Sequence, residues 1–409
     1  MNCYTRNELH KKILGRIEPI CKWFKDKSEN SRFPIYSSYD VRDSGYKVAN
    51  VDANIYPAGF NNICPTDKES AIEIMASYLN KNYGSGLKKI ALITEEHTHN
   101  PYYWDNVHTI KKLLEDSGKT VRVAFPSKLP DNLLLKSANG FEVQVESGTY
   151  EDLIFKDFKP DLIINNNDFS EAHDEWARNI HTPQNPPREL GWYQRKKSNY
   201  FKFYNQLVHE FADVAQIDPM LFEVKTEFFE HFDIGDENSK QHLAMKVDTL
   251  IEALKIDYEK RGWKQTPFVF VKNNSGTYGL AVIKVESGKE VLEWSYKSRK
   301  KMKAAKGGKE VEEVIIQEGI PSIVESDGVV AEPVIYMIGS DLAGGFLRTH
   351  GEKSATESLN SPGAIYKRLC VSDLAIRPEG CPMENVYGWT SKLGALAITY
   401  EAKAMGVSF

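Results

Sequence analysis

Apolar residues in the first third of the chain alternate between two periods. Ile72, Met75 and Leu79 recur along one helix face, Ile90–Ile93 form a short apolar run, Ile110, Leu113 and Leu114 mark a second helix, and Val121, Val123 and Phe125 alternate as in a strand. Strand, helix and strand in succession predict a parallel sheet. Leu162, Ile163 and Ile164 predict a further buried strand that runs straight into Asn165, Asn166, Asn167 and Asp168. Open parallel sheets bind ligands beyond the carboxyl ends of their strands, which makes Asn167 and Asp168 candidate substrate groups; an Asn/Asp-rich turn is the plainer alternative.

The pattern changes after the Pro-rich polar segment 181–192, which is read as the end of a first domain (1–190), with a second over 191–409. Lys197 to Ala215 has helical periodicity, 267–285 reads as strand, glycine turn, strand, and 314–319 as another strand after an exposed lysine-rich connection (297–309). At 409 residues the chain outgrows a single core, so two or three subdomains are expected, α/β first and α+β after. Hydrophobic residues at 41% and charged residues at 27% place it among globular proteins.

A net charge of -5 without long blocks of either sign argues against a nucleic-acid partner. Cys3, Cys21, Cys64, Cys370 and Cys381 are scattered and odd in number, so reduced thiols and a cytoplasmic protein are expected. The N-terminus lacks the apolar stretch of a secretory signal, and no apolar run is long enough to span a membrane.

The segment Lys272-Asn-Asn-Ser275-Gly276-Thr277-Tyr-Gly279 places a lysine at the end of a buried strand before a small-residue turn. Glycines let backbone N–H groups approach phosphate oxygens while an ammonium neutralises charge, so Lys272, Ser275, Gly276, Thr277 and Gly279 are candidate nucleotide groups; a plain β-hairpin is the alternative. No Walker A pattern occurs. Gln317 and Glu318 end the next strand, where an amide or acid can read an adenine edge and ribose hydroxyls. Glu332 and Arg348 come from a charged strand pair, for which an intramolecular salt bridge is the competing reading. Glu357 and Asn360 offer oxygen ligands near a turn. Arg42, Asp52, Asn54, Asn61 and Asn62 cluster around a Pro/Gly-shaped segment that can hold both charged ends of an amino acid, although a structural loop has the same composition. The pair His97 and His99 is insufficient for zinc.

These parts follow the order used by ATP-grasp ligases. The chain resembles the proteobacterial glutamate–cysteine ligase family, on VDANIYPAGFNN (51–62), EEHTHNPYYWDNV (95–107), NNND (165–168), GWYQRKKSNYF (191–201), KNNSGTYG (272–279), AEPVIYMI (331–338), GGFLRTH (344–350) and LNSPG (359–363). The resemblance implies a Rossmann-like pre-ATP-grasp domain followed by two α+β lobes that close on ATP with magnesium, or manganese in its place. It also implies a reaction in which glutamate is activated as an acyl phosphate and captured by the cysteine amine. On this reading Lys272 and Arg348 are catalytic, Lys225 is a second phosphate lysine, Arg195 and Lys197 join the substrate groups, and Glu332, Glu357 and Asn360 hold the metal. Another ATP-grasp carboxylate–amine ligase, or a nucleotide-binding regulatory module on the same scaffold, are the alternatives. Two features depart from the family pattern: Glu357 and Asn360 are separated by two residues where E-x-N is usual, and KNNSGTYG stands where KADAGTYG is expected.

Overall fold

A computed structural model describes residues 6–129, 131–148, 157–178, 180–276, 281–303, 311–370 and 385–409. Four strands, Glu142–Ser147, Thr120–Phe125, Lys89–Thr94 and Leu162–Asn166, lie side by side in parallel, with Leu133–Lys136 antiparallel on the outer edge. The predicted apolar runs are their centres, and Ile90 to Ile93 are fully buried, as strands covered on both faces require. Lys89–Thr94 is first in sequence but lies between the second strand and the last, so the strand order reverses beside Leu162–Asn166.

The largest sheet is antiparallel and joins distant parts of the chain. Its order is Ile365–Leu369, Asp341–Thr349, Val329–Ile338, Ser37–Asp43, Val48–Asn54. Residues 37–54 thus share a ladder with 329–369, and this ladder crosses the division expected at residue 190. Part of the expected 51–62 loop is strand, through Asn54. The helix Pro65–Tyr83 packs on this sheet and on Pro101–Asp116, so the two sheets share a core containing Met75, Leu92, Val334 and Phe346.

A smaller antiparallel sheet, Val282–Val285, Val269–Asn273, Val314–Glu318 and Thr226–Phe229, contains the predicted hairpin. Its covering helix Glu237–Arg261 is capped by the Asp236 carboxylate, which accepts from Asn238 and Ser239, and ends at Gly262 with φ 68°. The C-terminal helix Val386–Ala404 is buried against Lys197–Ala215 and the large sheet. Small residues permit that approach: a Cβ on Gly394 would lie 2.4 Å from the Tyr39 ring.

One expectation from composition is corrected. Cys64, at the N-cap of Pro65–Tyr83, is disulfide-bonded to Cys370, which follows Ile365–Leu369. The partners are 306 residues apart, and only the packing of that helix against the sheet brings them together. Cys21 is exposed and takes no part in this disulfide, while Cys3 and Cys381 lie outside the described residues. Among the described residues no helix is long and apolar enough to cross a membrane.

Candidate active site

Between the large and small sheets lies an open cavity of about 690 Å³, including its solvent-filled mouth. The large sheet contributes Asp40, Arg42, Asp52 and Glu332. In a strand, residues two apart share a face, which puts Asp40 and Arg42 on one side, with Asp52 directly across the ladder from Asp40. The small sheet contributes Phe270, Lys272 and Gln317, the start of the helix Lys197–Ala215 adds Lys197, and the loop after Asp341–Thr349 adds Ser358 and Asn360.

Lys272 donates to the Gln317 side-chain oxygen at 2.5 Å and to the Val51 carbonyl at 3.3 Å. Burial pushes its ammonium down to about 8; Asp52 opposes this, and Lys197 and Arg42 add to it. Lys197 pairs with Asp52 at 2.5 Å. Burial works to raise Asp52, but Lys197 and Lys272 outweigh it and hold the carboxyl below its ordinary value.

Beneath this pair lies a denser charge lattice. Arg348 donates to Asp40 at 2.7 Å and to Glu332 at 2.6 Å, while Arg42 pairs with the other Glu332 oxygen at 2.6 Å. Burial opposes ionisation of Glu332, yet Arg42 and Arg348 lower it; Asp40 is raised, by burial first and by Glu332. Burial works against the Arg348 charge, but Asp40 and Glu332 prevail and raise its pKa. The strand-pair salt bridge expected as the alternative for Glu332 and Arg348 is therefore present, and Arg348 reaches the cavity through the two carboxylates it holds.

Other predicted residues have different surroundings. Glu318 borders the cavity, but its carboxylate is turned inward, accepting from Lys47 at 2.7 Å, Tyr258 at 2.8 Å and the Lys225 backbone at 3.1 Å. The Lys225 ammonium pairs with Asp257 at 2.5 Å, away from the cavity wall. Arg195 is 1% exposed and donates to Glu401 at 2.9 and 3.0 Å and to the Ala53 carbonyl, which engages it structurally. Arg42 lines the cavity while its remaining nitrogens hold the Ala355 and Glu357 carbonyls.

Asn54 caps a turn at Tyr56, and the Asn61 side chain donates to Asn62, outside the cavity lining. Asn167 bonds the Thr94 carbonyl and the Phe169 amide, and Asp168 accepts from Ser170; this is the Asn/Asp turn expected as the plainer alternative. Ser275 donates to the Arg195 carbonyl, Gly276 lines the cavity at φ 128°, and Thr277 and Gly279 lie outside the described residues.

Of the expected metal ligands, Glu332 is fully engaged by two arginines. Glu357 is held by Lys353 at 3.2 Å and the Ser354 amide at 2.9 Å, and it does not line the cavity. Asn360 does, together with Asp52. These hard oxygen donors suit magnesium, which takes a few protein oxygens along with phosphate and water. Among the described residues the compact His/Cys/Asp/Glu cluster is Cys64, Asp67 and Cys370, elsewhere in the fold and with its sulfurs bonded to each other.

Sequence reasoning missed Asp40, Asn273, Phe270 and Ser358 at the cavity, and Lys47 behind it. The D-x-R alternation in Ser-Ser-Tyr-Asp40-Val-Arg42-Asp was the available signal for the first.

An open cleft between two sheets holds paired lysines and carboxylates, with Gly276 on its edge, an arrangement suited to charged small molecules. The family to which the chain belongs makes it a ligase. The chain belongs to the glutamate–cysteine ligase family, whose model matches residues 10–402. It is similar to the crystal structure of a protein assigned as a γ-glutamylcysteine synthetase from Methylobacillus flagellatus KT. The two share 32% identity, with 97% of this chain and 96% of that chain covered and a TM-score of 0.87. Fainter likenesses join it to a glutathione synthetase-like effector of Globodera pallida (11% identity, 90% and 85% covered, TM-score 0.38). A similar one links it to D-alanyl-alanine synthetase A of Vibrio cholerae O1 biovar eltor str. N16961 (11%, 79% and 82%, 0.31), and neither carries weight for this chain. No curated protein matches the chain.

Proposed function

We propose that the cavity joins the γ-carboxylate of L-glutamate to the amine of L-cysteine, with ATP as the activating reagent. The observation that carries this reading is the convergence of Lys272, Lys197 and Asp52 on one open cavity in a chain of the glutamate–cysteine ligase family. In the first step a γ-carboxylate oxygen bonds to the γ-phosphorus as the bond from that phosphorus to the β,γ-bridging oxygen breaks, giving γ-glutamyl phosphate and ADP. In the second, the cysteine nitrogen bonds to the acyl carbon, phosphate departs with its oxygen, and the amine proton passes to solvent.

The first step brings two anions together. Like charges about 4 Å apart repel by about 4 kcal/mol at an effective dielectric constant of about 20, so cations must stand between them. Lys272 and Lys197 fill that role, and the phosphates compete with Asp52 for Lys197. Arg348 fixes Asp40 and Glu332 in the wall and so shapes the site from behind. Magnesium, when bound, would supply further positive charge to the polyphosphate, and Asp52 and Asn360 are the cavity residues that would offer it oxygens.

The test is phosphate release from ATP, with the product identified by mass, for glutamate with cysteine and for a panel of other acids and amines. Formation of γ-glutamylcysteine is expected. Turnover confined to other pairs would change the substrates and keep the ligase chemistry, whereas nucleotide binding without turnover would favour a regulatory scaffold.

A further inference from the structure

The helix Lys197–Ala215 starts without a cap of its own: Lys196 stands at its N-cap and offers no side-chain acceptor. The first N–H groups of a helix have no partner within it and must find one elsewhere. Here Asn274 provides it from a distant part of the chain. Its backbone carbonyl accepts from the Lys197 amide at 2.8 Å, and its side-chain oxygen accepts from the Ser198 amide at 2.8 Å. The other end of the side chain donates to Glu313 at 3.2 Å, and the Asn274 amide donates to the Glu313 carbonyl at 3.0 Å. Glu313 also pairs with Lys196 at 2.6 Å, and neighbouring Ser275 donates to the Arg195 carbonyl at 3.1 Å.

Asn274 is 1% exposed and is not part of the cavity wall. Its neighbours are: Lys272, Asn273 and Gly276 line the cavity from the small sheet, and Lys197 lines it from the helix that Asn274 caps. Asn274 therefore ties the strand end that carries Lys272 and Gly276 to the helix start that carries Lys197. We propose that Asn274 is a positioning residue that holds Lys272 and Lys197 in register for the ligase reaction. The proposal rests on that reading of the cavity, and it accounts for the departure KNNSGTYG: the second asparagine supplies both the cap and the donor to Glu313.

The experiment compares Asn274→Ala, Asn274→Asp, Glu313→Gln and the double variant Asn274→Asp/Glu313→Gln in the full chain. Amide hydrogen exchange at Lys197 and Ser198, kcat and KM for ATP, and the melting temperature are read for each. A misplacement of about 1 Å away from the chemistry can cost about a hundredfold in rate, so kcat/KM of Asn274→Ala falls by up to about that factor while Ser198 exchange accelerates. Asn274→Asp keeps the acceptor for Ser198 but sets a carboxylate against Glu313, and it too is impaired. The double variant restores a donor at position 313, recovers kcat/KM to within about threefold, and slows Ser198 exchange again; recovery of both together is what positioning requires.

Wild-type kcat/KM in Asn274→Ala overturns the proposal. So does a double variant that regains melting temperature and Ser198 protection but not kcat/KM, since the cap would then be structural alone. A wild type that forms no product with glutamate, cysteine and ATP would sink the ligase reading, and exchange at Ser198 would still report whether the cap exists.

Discussion

Arg195 and Lys197 stand two residues apart, and each pairs with a carboxylate, yet the two pairs belong to different worlds. Arg195 and Glu401 are both essentially fully buried, with further bonds that leave little unmet. Lys197 and Asp52 meet at the cavity, where the Asp52 side chain keeps 38% of its exposure. A closed pair cannot exchange its partner for a ligand without leaving a bare charge in the protein interior. An open pair can, because solvent or a phosphate stands ready to take either half. Closed pairs hold the architecture, and open pairs are available for chemistry.

The sharpest way to break this comparison is Glu401→Ala. Removing one half of a buried ion pair costs about 3–5 kcal/mol, so chemical denaturation should show a loss of that order. A loss below about 1 kcal/mol would mean that Arg195 finds another partner or water, and the pair would not be closed. Next in size is Lys272→Ala, for which catalysis should fall by about a hundred- to a thousandfold, the usual range for a lost charge-stabilising donor. Unchanged turnover would remove Lys272 from the reaction. Lys197→Ala separates the two kinds of pair most directly: stability should shift by no more than about 1 kcal/mol, while kcat/KM for ATP falls at least about tenfold.

The sequence made some of this legible and hid the rest for identifiable reasons. The parallel strands and the 267–285 hairpin were readable because their apolar runs are local and continuous. Lys272, Gly276 and Gln317, which line the cavity, were readable as candidates because a strand-end lysine before a glycine-containing segment and a polar residue ending the next strand are local patterns. Ser37–Asp43 was not read as a strand, since its buried face carries Asp and Arg whose partners, Glu332 and Arg348, arrive about three hundred residues later. Long separations likewise hid the roles of Arg195, Glu318 and Cys64: each is decided by a partner 206 to 306 residues away that no local pattern announces.

The pH profile offers a smaller and more discriminating effect. With its pKa pushed down to about 8, chiefly by burial, Lys272 loses its charge in the free protein as pH rises through that value. The kcat/KM for ATP should therefore decline above about pH 8, since that quantity reports the free enzyme. Bound phosphates favour the ammonium, so the corresponding limb in kcat lies at higher pH. The sign for stability is opposite: the unfolded lysine keeps its proton to higher pH, so this group makes folding more favourable as pH rises from about 8 toward its ordinary value. Lys272→Arg, which stays charged, should lose the alkaline limb; a limb unchanged in that variant would assign it to another group.

The smallest effect belongs to Glu357, a third kind of carboxylate. It is neither sealed in a buried pair nor part of the cavity wall, and hydrogen bonds from Ser354 and Lys353 hold it below its ordinary pKa. Its useful contact is the backbone carbonyl that receives Arg42, and Glu357→Gln leaves that bond in place. Turnover and the magnesium dependence of Glu357→Gln should stay within about twofold of wild type, since surface carboxylates paired this way contribute little. Asn360→Ala, on the cavity side of the same loop, should raise the magnesium concentration needed for half-maximal rate. If instead Glu357→Gln carries the larger magnesium effect, the loop must turn its acid inward when substrates bind, and Glu357 would then have to be counted among the open carboxylates.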